Sequence, residues 1–199
     1  MGRENIFKKL NKTGTTFITL GIVLGIISLF MTLIFLTDGF SAPLVIFFIF
    51  LVISVLFIIY GADYKKGENS RYLKKHPGIL ELADTFTNPV FENDYIIVSD
   101  KAIADKKNFL SIVAIDDVLA VYESIMRTNG IVTSHTVTLC AVDGRNLEIN
   151  VFAKNRDAKD ELVLTISHYC PNAMVGYSSE TMEYVDAKRK EYKEKNSKA

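Results

Sequence analysis

The chain has 199 residues, room for one or two ordinary domains, and its 23 basic and 23 acidic residues cancel to a net charge of zero. From His76 onward 14 of the basic and 19 of the acidic residues remain, so that part is acidic by five charges, which argues against a nucleic-acid partner. The two cysteines, Cys140 and Cys170, lie far apart without C-x-x-C spacing, and read as small buried residues in a reducing compartment rather than as a disulfide scaffold.

In chain order, the N-terminal flank sets Arg3, Lys8, Lys9 and Lys12 against Glu4. Its Met-Gly start is not a myristoylation signal, because position 6 is Ile6 rather than Ser or Thr. The stretches Phe17–Leu36 and Leu44–Tyr60 carry no charge at all. A helix rises about 1.5 Å per residue, so about 20 residues cross a hydrocarbon core of roughly 30 Å. Backbone polar groups in lipid must pair within their own segment, which makes each stretch helical. Pro43 suits a first helical turn, and with Ala42 and Gly61 it lengthens the second stretch. Transmembrane helices are therefore predicted over residues 15–37 and 42–61. The first is too long for a signal-peptide core, and no convincing A-x-A cleavage site follows it.

The connection Thr37–Ala42 holds Asp38 and no cation, whereas Lys65, Lys66, Arg71, Lys74 and Lys75 follow the second stretch. The positive-inside rule predicts a two-span protein of the cell membrane with both termini in the cytoplasm. Gly21 and Gly25 form a G-x-x-x-G pair that, together with Ser54, suits close helix packing, on the same chain or on a second one. Neither stretch contains an ionisable residue, which disfavours ion or proton transport.

Residues 62–78 read as a basic linker, whose five cations serve as a topology signal or as contacts to anionic inner-leaflet headgroups. Residues 79–199 then form a cytoplasmic domain. Ile79–Asp84 suits a short helix, and Thr87-Asn88-Pro89 breaks the pattern. Strands are predicted at Tyr95–Ser99, Lys101–Asp105, Phe109–Ile115, Val118–Arg127, Ile131–Val142 and from Leu147 to Ala153, with Asn129-Gly130 and Asp143-Gly144 as hairpin turns. Six strands at this spacing make an antiparallel meander. Asn155 is positioned to cap a helix over Arg156–Tyr169, with Leu162, Val163, Ile166 and Tyr169 as its apolar stripe and Pro171 as its stop. A short strand at Ala173–Tyr177 precedes a last helix capped by Ser178 or Ser179. That helix carries Glu180 and Glu183 in its first turn, Lys188, Arg189 and Lys190 later, and the i,i+4 pairs Asp186–Lys190 and Glu191–Lys195.

The fold class is thus a membrane α-hairpin plus an α+β domain. The hairpin at Asn93–Asp105, the lead-in Ile115-Asp116-Asp117-Val118, the turn Asp143-Gly144 and the segments Pro171-Asn172 and Gly176-Tyr177-Ser178 resemble a pleckstrin-homology (PH)-like domain. More specifically, the chain resembles uncharacterised bacterial membrane proteins with an N-terminal two-helix hairpin and a cytoplasmic PH-like domain. The resemblance implies a PH-like barrel; the strand and helix that follow the first long helix depart from the plain pattern. Some PH domains bind phosphoinositides with cations around the first hairpin, but here Asp94, Asp100 and Asp105 offset Lys101, Lys106 and Lys107.

Catalytic patterns fail one by one. Gly176-Tyr177-Ser178-Ser179-Glu180 lacks the final glycine of a nucleophile elbow, and a helix cap explains its serines. His76, His135 and His168 have no ligand spacing, and Asp116-Asp117 would point apart on a strand. There is no P-loop and no G-x-G-x-x-G. No cofactor or metal is expected. The sequence points to a non-enzymatic interaction module on the bilayer that meets a protein partner or another copy; an anionic-headgroup-binding domain is the alternative.

Overall fold

A computed structural model of the chain describes residues 2–37, 41–152 and 156–197. The inter-helix loop with Asp38, the Asn155 cap and Ala153 lie outside the described residues. The chain divides into two compact units, Glu4–Ile79 and Leu80–Ala199, the latter joined by Met1–Arg3.

The first unit is built on two helices, α1 (Gly2–Thr37) and α2 (Ser41–Tyr64). Both are long and apolar enough to cross a membrane. At 36 residues α1 is about 54 Å long, so it runs several turns beyond the uncharged stretch into the basic flank. Large apolar side chains stand outward on both helices, Ile26 at 64% and Phe48 at 65% exposure. A soluble core helix would bury such groups, whereas lipid solvates them.

What holds the helices to each other is a seam of small residues. A side chain added at Gly21 would meet the Ser54 carbonyl oxygen at 2.7 Å, and one at Gly25 would meet Ser54 Oγ at 3.1 Å. The G-x-x-x-G pair therefore faces α2 of the same chain. The seam also includes a facing pair absent from the sequence reading: a Cβ at Gly14 would lie 2.6 Å from the Gly61 oxygen, and one at Gly61 would lie 2.6 Å from the Gly14 oxygen. Gly14, Gly21 and Ser28 recur every seven residues, as do Ser54 and Gly61. A seven-residue period stays on the contact line only when the helices wind left-handedly. Ser28 and Ser54 are buried, but their hydroxyls donate to Leu24 and Leu51 carbonyls of their own helices, so packing rather than interhelical hydrogen bonding closes the seam. Aromatic pairs border it, Phe35 with Phe47 at 5.5 Å and Phe17 with Phe57 at 5.8 Å.

After α3 (Arg71–Lys75), the short helix α4 (Ile79–Asp84) begins on the last residue of the first unit and leads into the second, which contains two four-stranded sheets and two long helices, α5 (Arg156–Tyr169) and α6 (Ser179–Asn196). Sheet one runs β1 (Phe91–Glu92), β2 (Ile96–Val98), β3 (Ala102–Asp105) and β4 (Ile112–Ala114) in order, all antiparallel. Sheet two has the order β7-β6-β5-β8, with β5 (Val118–Thr128), β6 (Ile131–Ala141) and β7 (Asn146–Phe152) antiparallel and β8 (Met174–Val175) added parallel to β5. The single meander expected from sequence is thus split into two sheets at the 3-10 turn Ile115–Asp117, and it gains β1.

Polar side chains close the tight turns. Asn93 Oδ1 accepts the N–H groups of Tyr95 and Ile96, Ser99 Oγ those of Lys101 and Ala102, Asp105 Oδ1 that of Lys107, and Asp143 Oδ1 that of Arg145. At the β5–β6 turn Asn129 and Gly130 both take positive φ, 51° and 79°, as a type I′ hairpin requires.

One core joins the two sheets to α5: Ile96, Val98, Ile103 and Val113 meet Val121, Val137, Leu139 and Ile149, with Leu162 and Ile166 above them. A second, smaller cluster of Leu119, Ala120 and Cys140 with Val185 of α6 covers the opposite face of β5 and β6. Ser178 caps α6 by accepting the Thr181 N–H at 3.0 Å. Arg189 does more than complement the helix dipole: it donates to the carbonyls of Ala141 and Arg145 and to Asn146 Oδ1, clamping the β6–β7 turn. The ion pair described on α6 is Lys188–Glu191 at 3.0 Å, in place of the two i,i+4 pairs suggested by the sequence.

The seam makes a steric prediction. Gly61→Val places atoms against the Gly14 backbone, which cannot yield as a flexible side chain would, and should destabilise the helix pair by about 1–3 kcal/mol. Denaturant titration of the detergent-solubilised chain measures this, with Ile26→Val, at an outward-facing position, as a variant expected to match the parent.

Candidate functional site

The uncharged stretch of α2 ends at Tyr60, and the chain then turns back on itself. Gly67, at φ 58°, occupies the left-handed conformation that lets the backbone leave the helix direction. Ser70 caps the five-residue helix α3 (Arg71–Lys75) by accepting the Leu73 N–H, and Asp63 Oδ2 accepts the Arg71 N–H at 2.9 Å. The segment read as a linker is therefore a pinned turn of helix. It borders an open cleft of about 630 Å³ lined by Tyr60, Asp63, Tyr64, Arg71, Tyr72, Lys74, Lys75 and His76. Ring contacts run from Tyr64 to Tyr72 at 6.2 Å and from Tyr72 to His76 at 4.9 Å, forming an aromatic wall.

The five cations read as a topology signal or as inner-leaflet contacts are not gathered in one place. Arg71, Lys74 and Lys75 line this cleft. Lys65 instead lines a separate recess with Glu4, Phe7, Lys8 and Asn11, and Lys66 pairs with Asp63 at 3.6 Å. Of the residues proposed for helix packing, Gly21, Gly25 and Ser54 lie together on the seam, well inside the uncharged stretches.

In the second unit a polar network links a strand pair to α5. Glu123 of β5 and His135 of β6 are diagonal cross-strand neighbours, since Ile125 is the residue opposite His135. The carboxylate of Glu123 accepts from His135 Nδ1 and, at 2.6 Å, from Lys159 Nζ. Both partners are nearly covered, at 7% and 12% side-chain exposure. Burial pushes the Glu123 carboxyl up, but the hydrogen bonds from Lys159 and His135 and their charges outweigh it and hold the group below its usual range. The sequence concealed this network because Lys159 is 36 residues from Glu123.

The remaining candidates have structural places. Burial pushes the Cys170 thiol up to about 12, with the Asp116 carboxylate adding to the effect, and burial raises Cys140 as well, so neither is an activated nucleophile. Asp117 is raised by burial and by the neighbouring Asp143. His168 stacks edge-on against Tyr169 at 5.1 Å. Around the first hairpin, Lys106 pairs with Glu92 at 2.7 Å and donates to the Asn93 carbonyl, while Lys107 lies 5.1 Å over the Tyr95 ring. Among the described residues no group of three or more His, Cys, Asp or Glu side chains is placed to hold a metal ion.

These features define a class: two helices long and apolar enough to cross a membrane, followed by an α+β unit of two largely antiparallel sheets. Comparison of the chain with protein-family models, with curated proteins and with solved structures finds no match.

The Glu123 network predicts an acid response. A folded-state carboxyl held below its unfolded value near 4.5 contributes stability above that value, and the contribution is lost as pH falls through the lower, folded-state value. Glu123→Gln should remove this part of the acid destabilisation and cost about 1–3 kcal/mol at neutral pH, because the amide keeps one acceptor oxygen where the carboxylate offered two and loses the charge that pairs with Lys159. Melting temperatures of the two proteins between pH 3 and 7 provide the comparison.

Proposed function

We propose that the chain is a membrane-tethered, non-enzymatic interaction module that displays a PH-like domain to a protein partner. Support for the PH-like reading comes from the strand partition: four antiparallel strands, then three more, then the covering helix α5. The same order supports kinship with bacterial two-helix membrane proteins bearing such a domain. In this reading both termini face the cytoplasm, since cations flank the hairpin on its outer sides and the connecting loop has none.

The observation that carries the interaction reading is the open edge of β5. Strand β8 pairs only with Ala120 and Val121, and Val121 O accepts the Gly176 N–H. Glu123 and Ile125 lie opposite Val137 and His135 of β6, but by strand alternation their backbone groups point the same way as those of Val121, away from β6, and no described strand lies on that side of them. Around this edge Ile125, Met126 and Ile131 are exposed, at 46%, 61% and 70%. An unpaired edge beside apolar side chains is a template for an added strand, in which main-chain bonds give affinity and side-chain pockets give selectivity. Lipid recognition by the sheet unit has weaker support, because Lys106 and Lys107 are engaged within the unit.

Photocross-linking from position 126 in native membranes tests this. A discrete adduct is expected, and Ile125→Pro should weaken it about fivefold by removing one outward N–H while sparing the β6 ladder. Adducts unaffected by the proline would exclude strand addition; adducts confined to the chain itself would make the partner a second copy.

A further inference from the structure

We propose that the cleft at the end of α2 is a binding site for a phosphate ester, the headgroup phosphate of an anionic phospholipid. This proposal is independent of strand addition at β5 and needs only that α2 crosses the membrane. Tyr60 closes the uncharged stretch, and Tyr60, Tyr64 and Tyr72 line the cleft just beyond it. Tyrosine side chains, apolar in body and polar at the tip, suit the boundary between hydrocarbon and water. Three cations enter the same space: Arg71 supplies a planar fork that matches phosphate oxygens, and Lys74 and Lys75 supply compact charges.

Charge and geometry both favour an anion there. Asp63 is the carboxylate lining the cleft, and it is committed to the Arg71 N–H at 2.9 Å, to Lys66 at 3.6 Å and to Arg71 Nε at 4.0 Å. Three cations against one carboxylate leave a surplus of positive charge. The Ser70 cap and the Asp63 bond fix the backbone from which the cations project, so less ordering remains to be done on binding. A topology signal would need the charges alone, in any conformation; it would not need them on a pinned backbone beside an open cleft. At about 630 Å³ the cleft also exceeds a bare phosphate and has room for a glycerol-linked headgroup against the tyrosine wall.

Native mass spectrometry of the full-length chain in detergent, offered phosphatidylglycerol or phosphatidylcholine, tests the site. Phosphatidylglycerol should be retained in preference, and removing Arg71, Lys74 and Lys75 as glutamines should weaken retention about fivefold per charge. The double variant Lys8→Gln/Lys65→Gln, in the separate recess, should leave it unchanged. An unaltered melting temperature of the triple variant would show that loss of lipid is not loss of fold. Adding glycerol phosphate separates the two sources: failure to displace the lipid assigns the site to a headgroup, whereas displacement at equal concentration supports a soluble phosphate ester as its ligand. Equal retention of both lipids, or equal loss in the Lys8/Lys65 variant, would overturn the proposal.

Discussion

The approach of two helix backbones at Gly14 and Gly61 is the constraint on which the pair of long apolar helices rests. Each glycine carbonyl occupies the space that the other's side chain would fill. Lipid tails are as apolar as leucine, so burying leucine between helices gains little, and close van der Waals contact becomes the main attraction. A seam of glycine and serine supplies that contact. It also leaves large apolar side chains such as Ile26, Phe30 and Phe48 free to face outward, and so explains why the exposed surface of α1 and α2 is so rich in Ile, Leu and Phe.

Much of this was readable in the sequence, for reasons specific to each element. Gly21, Gly25 and Ser54 stood out because small residues are conspicuous inside an uncharged stretch. Gly14 and Gly61 escaped because they lie just outside the stretches that charge delimits, Phe17–Leu36 and Leu44–Tyr60, although the seven-residue spacing from Gly21 and Ser54 leads to them. Most strands of the second unit were legible from alternation, and the turns from Asn129-Gly130 and Asp143-Gly144, because a hairpin turn is a local event with its own backbone demands. The split into two sheets was not legible, since pairing β3 with β4 and then starting anew at β5 depends on long-range packing around α5.

The candidate sites divide in the same way. Charge counts alone located the basic segment after α2, but they could not separate Arg71, Lys74 and Lys75 from Lys65 and Lys66. That separation depends on Gly67 and on the caps supplied by Ser70 and Asp63, which decide the side from which each cation emerges. The Glu123–His135–Lys159 network needed both the strand register and the placement of α5. The open edge of β5 needed the length of β8, two residues, which no local pattern specifies.

The Arg189 clamp has a consequence for the order of events at birth. Its acceptor on Ala141 lies 48 residues earlier in the chain. Translation at about 5–20 residues per second separates the two by roughly 2–10 seconds. Through that interval Leu119, Ala120 and Cys140 have been made but the helix that roofs them has not, while α1 and α2, synthesised first, are already able to enter the bilayer. The nascent sheet unit therefore carries an unroofed apolar patch until α6 has been made.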